Sequence, residues 1–434
     1  MFKPALLSAA LLALAGCAAP VSTQTPDAPP LDRLAERYVR LVLALGQHDD
    51  GYVDAYYGPP AWRAEAAAEK RPLAAIRADA AAVIAALQAH PVPADALLQL
   101  RRQYLVRQLQ ALVAYAAALQ GRRLGFDAEA RALYDIDPPA FDAAALDAQL
   151  ATIDRLLPGP EPLAARYNAY VERFAIPPQR LDALMRAAIA AARRVSADHI
   201  ALPPGESFEL AFVRDQPWSA YNWYQGGYRS RIEINTELPV TVARAIELAV
   251  HEGYPGHHVY NSLLEQALVD GRGWVEYSVY ALYSPQSLIA EGSADYGIAL
   301  AFPHAQRVAF VRDTLFPLAG FDAAEAERYV TVSEAGRATG QATIEAARRY
   351  LDGVADAETT VRFLQTRALY SEARARQRIR FFDRYRAYIV NYTLGETLVA
   401  DYVERVAGAD AQRRWAVFAE LLSSPRLPSG LRAP

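Results

Sequence analysis

The stretch Val250-His251-Glu252-Gly253-Tyr254-Pro255-Gly256-His257-His258-Val259 decides how the centre of this chain folds, because it holds three of the seven histidines. An alanine-rich run at 240–250, with a helical pattern, leads directly into it. Neutral imidazole is a common zinc ligand, and a glutamate beside the first histidine is the usual general base of zinc peptidases. In the familiar His-Glu-x-x-His pattern, both histidines share one helix face and reach the same ion.

This stretch departs from that pattern, because Pro255 stands where the second histidine is expected. On a regular helix His257 would point about 120° away from His251. Proline removes a backbone donor and glycine permits unusual dihedral angles, so we predict a bend or bulge at Pro255-Gly256 that returns His257 to the metal-facing position. We therefore predict zinc ligands at His251 and His257 and place His258 near the substrate. A kinked helix end whose histidines cap the last carbonyls is the alternative.

A third ligand is predicted downstream, in Ile289-Ala290-Glu291-Gly292-Ser293-Ala294-Asp295-Tyr296-Gly297. Glu291 and Asp295 are four residues apart and share one face of a helix. Their neighbours are apolar, and carboxylates in apolar company usually have a partner. We predict that Glu291 binds the metal and that Asp295 accepts a hydrogen bond from a ligand histidine, which would orient the imidazole.

These two segments, His-Glu-x-x-Pro-Gly-His-His and Glu-Gly-x-Ala-x-Tyr, resemble the bacterial family called domain of unknown function 885. That family is similar to zinc metallopeptidases of the gluzincin type, which use two histidines and one downstream glutamate. The resemblance extends to Tyr52-Val53-Asp54-Ala55-Tyr56-Tyr57-Gly58-Pro59-Pro60 and to Asn391-Tyr392-Thr393-Leu394-Gly395. It departs from the family after Gly340-Gln341-Ala342, where Glu345 stands about where a tyrosine is expected.

The predicted function is that of a zinc-dependent peptidase acting on a peptide substrate. The metal would activate water, and Glu252 would take its proton and deliver it to the leaving amine. His258 and Tyr392 would stabilise the oxyanion. Tyr392 also shares a helix face with Tyr385 and Tyr388, a spacing that is equally typical of core packing. Two alternatives stay open: an envelope lipoprotein that binds peptide or metal without hydrolysis, and a metal-dependent amidase acting on cell-wall peptides.

The composition favours a folded protein that does not bind nucleic acid. The 434 residues suffice for one large domain or two, and 53% of them are hydrophobic. The net charge is −4, whereas a nucleic-acid-binding domain would be basic. The single cysteine, Cys17, excludes an intramolecular disulfide and a thiolate metal ligand in the folded domain. The sequence does not indicate the oligomeric state.

The first residues resemble a bacterial lipoprotein signal. Lys3 precedes an apolar run that is much shorter than a membrane span, and the run ends in Leu14-Ala15-Gly16-Cys17. This end resembles a lipobox, in which the signal is cleaved before the cysteine and the thiol is lipidated. We predict a signal peptide at residues 1–16 and lipidation of Cys17; an ordinary secretory signal is the alternative.

The predicted location is the bacterial cell envelope. Ala18 follows the cysteine, rather than the aspartate associated with the inner membrane, so we expect anchoring on the periplasmic face of the outer membrane. Residues 17–30 contain four prolines among polar residues and are predicted to be an extended tether. The membrane would be contacted through the lipid alone.

The remaining residues, 31–434, predict a mainly α, gluzincin-like fold with a small β-sheet beside the kinked active-site helix. A division into two sub-domains near residue 200 is also predicted. Ser207–Val213 and Tyr228–Asn235 alternate as strands do, with an aromatic loop between them. By resemblance to gluzincins, the second strand would be an edge that pairs with substrate; a plain core hairpin is the alternative. Thr236 is the expected N-cap of the helix that carries the histidines.

A basic run near the C-terminus has two interpretations. Such a run is usually a solvated face paired with nearby acidic residues. One of its arginines could instead hold a substrate carboxylate in a bidentate grip, as a carboxypeptidase needs. The run consists of Arg374, Arg376, Arg378, Arg380, Arg384 and Arg386.

Overall fold

The computed structural model describes residues 30–432. The predicted signal peptide, Cys17 and all but the last residue of the predicted tether lie outside this range. Among the described residues, no helix combines the length and the apolar character that a bilayer span requires.

The described chain is mainly α-helical, as predicted. Helix α1 buries Leu34, Tyr38 and Val42 in a large hydrophobic core. The α-helices of residues 30–432 are α1 Leu31–Leu45, α2 Pro60–Glu69, α3 Leu73–Ala89, α4 Ala96–Leu119, α5 Phe126–Tyr134, α6 Ala143–Leu156, α7 Leu163–Glu172, α8 Pro178–Ala197, α9 Val242–Leu248, α10 His257–Leu264, α11 Pro285–Ala301, α12 His304–Phe310, α13 Phe316–Ala319, α14 Ala326–Arg337, α15 Gln341–Leu351, α16 Ala357–Arg367, α17 Glu372–Tyr385, α18 Val390–Ala407, α19 Ala411–Leu422 and α20 Pro428–Leu431.

Shorter helical segments of other types join several of these helices. One of the π-helical segments continues α9 directly and carries His251. The π-helical segments are Ala249–Gly253, Glu265–Asp270 and Val311–Leu315, and the 3₁₀ segments are Val275–Ser278, Ala323–Glu325, Ala338–Gly340 and Arg386–Ile389.

Two small sheets accompany the helices. The strands are β1 Val53–Tyr56, β2 Ser207–Val213, β3 Ala220–Gly226, β4 Arg229–Asn235 and β5 Val279–Ala281. The first sheet pairs β1 with β5 in antiparallel fashion, and the second has the order β2-β4-β3. Strand β2 runs parallel to β4, and β3 runs antiparallel to it.

The second sheet corrects two expectations. The aromatic segment that was predicted as a loop contains β3, whose backbone pairs with β4 from Ala220 to Gly226. As a result β4 lies in the centre of the sheet and is not an edge, while β3 occupies an edge. A strand flanked on both sides has no unpaired backbone groups to offer a substrate.

The start of the histidine helix also differs from the expectation. Thr241, not Thr236, is the N-cap of α9, and its hydroxyl accepts a hydrogen bond from the backbone N–H of Arg244. The Thr236 hydroxyl donates to the Val213 carbonyl at 3.1 Å and so ties the end of β4 to β2. Both threonines satisfy backbone groups, but spacing alone did not distinguish a strand end from a helix cap.

Helices α11 and α18 pack at a glycine-to-glycine contact. A Cβ added to Gly395 would lie 2.8 Å from the Leu288 carbonyl oxygen and 2.9 Å from Gly292 Cα, both of which are backbone atoms that cannot rotate away. Only glycine therefore allows the two backbones to approach this closely. The contact places α18 directly beside Glu291, which is adjacent to Gly292 on α11.

We expect Gly395→Ala to lower the free energy of unfolding by about 1–3 kcal/mol, because it over-packs a backbone contact. Gly430→Ala is the matched control, since no atom lies within 4 Å of the added Cβ; its effect should stay within about 0.5 kcal/mol. Chemical denaturation of both variants measures the difference. Equal stability of the two variants would contradict this description of the α11–α18 contact.

Candidate metal centre

The helix that carries the histidines breaks between His251 and His257. After the π-helical segment, Tyr254 adopts an extended backbone conformation, and α10 then starts at His257. The backbone N–H of Gly256 donates to the Val250 carbonyl at 3.0 Å. A Cβ on Gly256 would overlap the carbonyl oxygens of His251 and Val250, so the turn requires glycine. The structure thus has the interruption that Pro255-Gly256 predicts.

The break brings together the three predicted ligands. One ligand atom each of His251, His257 and Glu291 lies within 4.8 Å of the other two. The His251 Nε2 atom is 3.1 Å from Glu291 Oε2, and the His257 Nε2 atom is 3.7 Å from the same oxygen. The two imidazole rings are nearly perpendicular, with centroids 4.6 Å apart.

The surroundings of Glu291 fit a cation. Its Oε1 atom accepts a hydrogen bond of 2.7 Å from the Tyr388 hydroxyl, whereas its buried Oε2 atom lies 3.1 Å from His251 Nε2 without the alignment of a hydrogen bond. A buried carboxylate oxygen without a partner is costly. Burial alone would raise the pKa of Glu291, but His257 and His251 hold it well below its usual value. Two imidazoles and a carboxylate form a donor set that suits zinc.

Asp295 lies behind His251, as predicted. Its Oδ1 atom is 3.0 Å from His251 Nδ1, which leaves the Nε2 atom turned toward Glu291. Arg337 lies 3.5 Å from the same Asp295 oxygen and 3.0 Å from Glu396. A carboxylate on the far nitrogen fixes the tautomer and the direction of a ligand imidazole, so Asp295 is suited to orienting His251.

The ligands open into a cleft that encloses about 570 Å³, including space open to solvent. Glu252 lines it, and burial raises the pKa of the Glu252 carboxyl. Asn222 donates to the Glu252 backbone carbonyl at 2.7 Å and so links β3 to the π-helical segment. The lining consists of Asp54, Trp218, Ala220, Tyr221, Asn222, His251, Glu252, His257, Asn261, Tyr280, Leu282, Glu291, Phe381, Tyr385, Tyr388 and Tyr392.

His258 does not lie where it was predicted. Its side chain is fully buried and is absent from the lining of the cleft. Its Nδ1 atom is 2.9 Å from the Ser230 hydroxyl and its Nε2 atom is 2.9 Å from Glu206. Because α10 restarts at His257, the next residue points to the opposite side, toward the sheet. We therefore withdraw the expectation that His258 stabilises an oxyanion.

Tyr392 lines the cleft, and its ring centroid is 6.1 Å from that of His251. Burial, followed by the charge of Glu291, raises the pKa of Tyr392 well above its usual value, so the hydroxyl remains a donor. Tyr388, which the same spacing placed on this face, instead bonds Glu291 directly. Helical periodicity predicted that these tyrosines share one face, but it could not predict which group each hydroxyl contacts.

Asp54 is the cleft residue that sequence reasoning missed. The neighbouring Tyr56 and Tyr57 hydroxyls donate to the backbone carbonyls of Pro59 and Tyr277, outside the cleft. Asp54 itself lines the cleft and accepts a hydrogen bond from Tyr221. Its place in the cleft arises from an irregularity in the pairing of β1 with β5, which alternation along a short strand does not predict.

The basic run behaves mostly as a solvated face. Four of its arginines form ion pairs, namely Arg376, Arg380, Arg384 and Arg386, with Glu358 and Glu372, Glu237, Asp49 and Glu129 respectively. Arg378 has no ion-pair partner in residues 30–432, and its guanidinium lies 5.0 Å from the centroid of the Phe381 ring. Phe381 lines the cleft, but Arg378 does not.

Comparison with known proteins supports the fold only. No family model matches the sequence, and no curated protein matches it. A crystal structure described as "the putative lipoprotein from Colwellia psychrerythraea" has a TM-score of 0.51 at 15% identity, over 85% of this chain and 70% of that chain. Metallocarboxypeptidase 1 of Trypanosoma cruzi has a TM-score of 0.39 at 13% identity, over 90% of both chains, which is too distant to carry an argument.

We expect zinc binding to distinguish the two neighbouring histidines. His257→Ala should abolish stoichiometric zinc binding, because it removes one of three ligands. His258→Ala should retain the zinc but lower the free energy of unfolding by about 1–3 kcal/mol, because the buried Ser230 hydroxyl loses its partner and Glu206 loses one of its hydrogen bonds. Elemental analysis after gel filtration gives the zinc content, and the opposite pattern would show that His258 is the ligand.

A second prediction concerns Asp295. Asp295→Ala should weaken zinc binding by about 10–100-fold, because His251 loses the carboxylate that orients it. Glu396→Gln is the matched control, since it alters a carboxylate on the same Arg337 without touching a histidine. Competition with a chelator of known affinity measures both variants. Equal affinities in the two variants would mean that Asp295 does not act through His251.

Proposed function

We propose that this chain is a zinc-dependent peptidase in which His251, His257 and Glu291 hold the ion. The observation that carries the proposal is the convergence of these three side chains in the cleft that Glu252 also lines. Three protein ligands are the number typical of catalytic zinc sites, whereas structural sites use four. Zinc at this place would supply Lewis acidity, which lowers the pKa of water toward neutrality and polarises a carbonyl oxygen.

Glu252 is the proposed general base. Its side chain accepts no hydrogen bond from another protein group in residues 30–432, and it lines the cleft beside the proposed ligands. Hydrolysis consumes one water: its hydroxyl adds to the carbonyl carbon, the peptide C–N bond breaks, and the remaining proton goes to the leaving nitrogen. Glu252 carries that proton between the two positions.

Two further elements of the cleft have proposed roles. The Tyr392 hydroxyl donates a hydrogen bond to the oxygen that becomes negative during attack. Strand β3, which takes the place predicted for β4, offers an edge near the cleft, with Ala220 and Tyr221 among the lining residues. An extended peptide that adds to such an edge is held by backbone hydrogen bonds, independently of its sequence.

The proposed location is the cell envelope, with the catalytic domain tethered by a lipid on Cys17. This part of the proposal rests on the lipobox-like sequence that ends at Cys17 and on the proline-rich segment after it. Peptides of the envelope would then be the accessible substrates.

We expect Glu252→Gln to retain stoichiometric zinc and to lower kcat by about 10²–10⁴-fold, the usual contribution of a positioned acid–base group. Glu404→Gln, on the exposed side of α18, is the matched control and should leave both quantities unchanged. A peptide library digested by the zinc-loaded protein, with products read by mass spectrometry, identifies substrates for the kinetic comparison.

Two results would contradict the proposal. Normal turnover by Glu252→Gln would exclude it as the general base. Peptide retention without any cleavage, before and after zinc loading, would support a binding lipoprotein instead of an enzyme. Cleavage restricted to cell-wall peptides would keep the mechanism and change the substrate class to that of an amidase.

A further inference from the structure

Asp54 reaches the cleft through an irregularity in the small sheet of β1 and β5. Val53 pairs with Ala281 and Ala55 pairs with Tyr280, so Asp54 is an additional residue without a partner on β5. Such a bulge bends the strand and redirects the side chain of the additional residue. The redirected carboxylate lines the same cleft as Glu252 and His257.

The Asp54 carboxylate lacks the cationic partner that several buried carboxylates of the protein have. Glu206, Glu276 and Glu129 are paired with Arg193, Arg101 and Arg386 respectively. Asp54 has one hydrogen bond, from the Tyr221 hydroxyl, and no arginine or lysine partner in residues 30–432. Asp54 is half-buried. A carboxylate partly withdrawn from water is stabilised by a counter-charge, so a cationic ligand fits beside it.

The rest of the cleft fits a cationic ligand. No lysine or arginine of the described residues lines it, whereas Asp54, Glu252 and Glu291 do. A divalent ion on the histidines would balance two of these three negative charges and leave one uncompensated. The walls are rich in aromatic rings, among them Trp218 and Tyr385, and the faces of such rings attract cations.

We propose that Asp54 binds a primary ammonium group of the substrate, so that the cleft selects peptides by a positive charge and not by a terminal carboxylate. This inference rests on the proposed function in taking the ligand to be a peptide. The ammonium could belong to the amino terminus or to a lysine side chain, which share the same chemistry. Asp54 thereby becomes a specificity-determining residue, whereas Glu252 performs the proton transfer.

The alternative, recognition of a terminal carboxylate of the substrate, would use Arg378. That arginine has no ion-pair partner in the described part of the chain, and a guanidinium is the usual group for gripping a carboxylate. It packs on the Phe381 ring at 5.0 Å and does not line the cleft, so it serves here as the comparison residue. Recognition of a carboxyl terminus would require Arg378, and recognition of an ammonium would require Asp54.

The test measures binding to the zinc-loaded Glu252→Gln protein, so that it does not depend on turnover. The probe is a lysine-free tripeptide library in three forms: unmodified, N-acetylated, and C-terminally amidated. A fourth library is N-acetylated but carries one lysine in every member. Retained peptides are quantified by mass spectrometry after rapid gel filtration.

We expect the unmodified and amidated libraries to be retained at least about tenfold more than the N-acetylated one, as for the loss of one charge-assisted contact. Recovery of retention in the lysine library would identify the side chain as an equally good source; no recovery would identify the amino terminus. Adding Asp54→Asn should remove the preference for unmodified peptide, while adding Arg378→Gln should not.

Several results would overturn the inference. Equal retention of unmodified and acetylated peptides would overturn it, and so would retention of neither. A loss of retention on amidation that Arg378→Gln reproduces would also overturn it. None of these three results depends on the folding of Asp54→Asn. A uniform loss for all libraries in Asp54→Asn would mean that the carboxylate only supports Tyr221. Cleavage of acetylated and unmodified peptides at equal rates by the native chain would refute this inference and keep the proposed peptidase.

Discussion

The contact of Gly256 with the carbonyl of His251 is the constraint on which the rest of the site depends. Because there is no side chain at Gly256, the chain can turn back against the last turn of the preceding helical segment and start α10 at His257. The same turn places one histidine on each side of a break and points both imidazoles at one place. It also sends His258 to the other side, where it bonds Glu206 and packs against the sheet.

The third predicted ligand depends on tertiary packing and not on the turn. Helix α11 presents Glu291, and the close approach of α18 at Gly292 and Gly395 brings Tyr388 within 2.7 Å of it. One glutamate oxygen is thus satisfied by the tyrosine while the other faces the histidines. Behind the ligands, Asp295 contacts both His251 and Arg337 and so has a cationic partner, which the Asp54 carboxylate lacks.

The centre of the candidate site could be predicted because it depends on local chemistry. The features that depend on long-range packing could not be predicted. Proline and glycine at 255–256 dictate a helix break in any context, so His251, His257, Glu291 and Asp295 could be proposed from spacing and charge alone. The mainly α class followed from apolar periodicity.

In contrast, β3 was taken for a loop because its aromatic and glycine residues are typical of turns. The central place of β4 depends on pairing with β3, which no local pattern encodes. Asp54 was missed because its role arises from a bulge against β5, more than two hundred residues away in sequence. The division near residue 200 stays a prediction.

The central claim is that one ion is shared by imidazoles from both sides of the helix break and by a carboxylate from α11. The most direct measurement is diffraction from crystals of the zinc-loaded protein, recorded above and below the zinc absorption edge. The account predicts one anomalous peak at about 2.0–2.2 Å from His251 Nε2, from His257 and from a Glu291 oxygen. A peak beside His258 and Glu206, or full zinc occupancy elsewhere with none at these three residues, would contradict it.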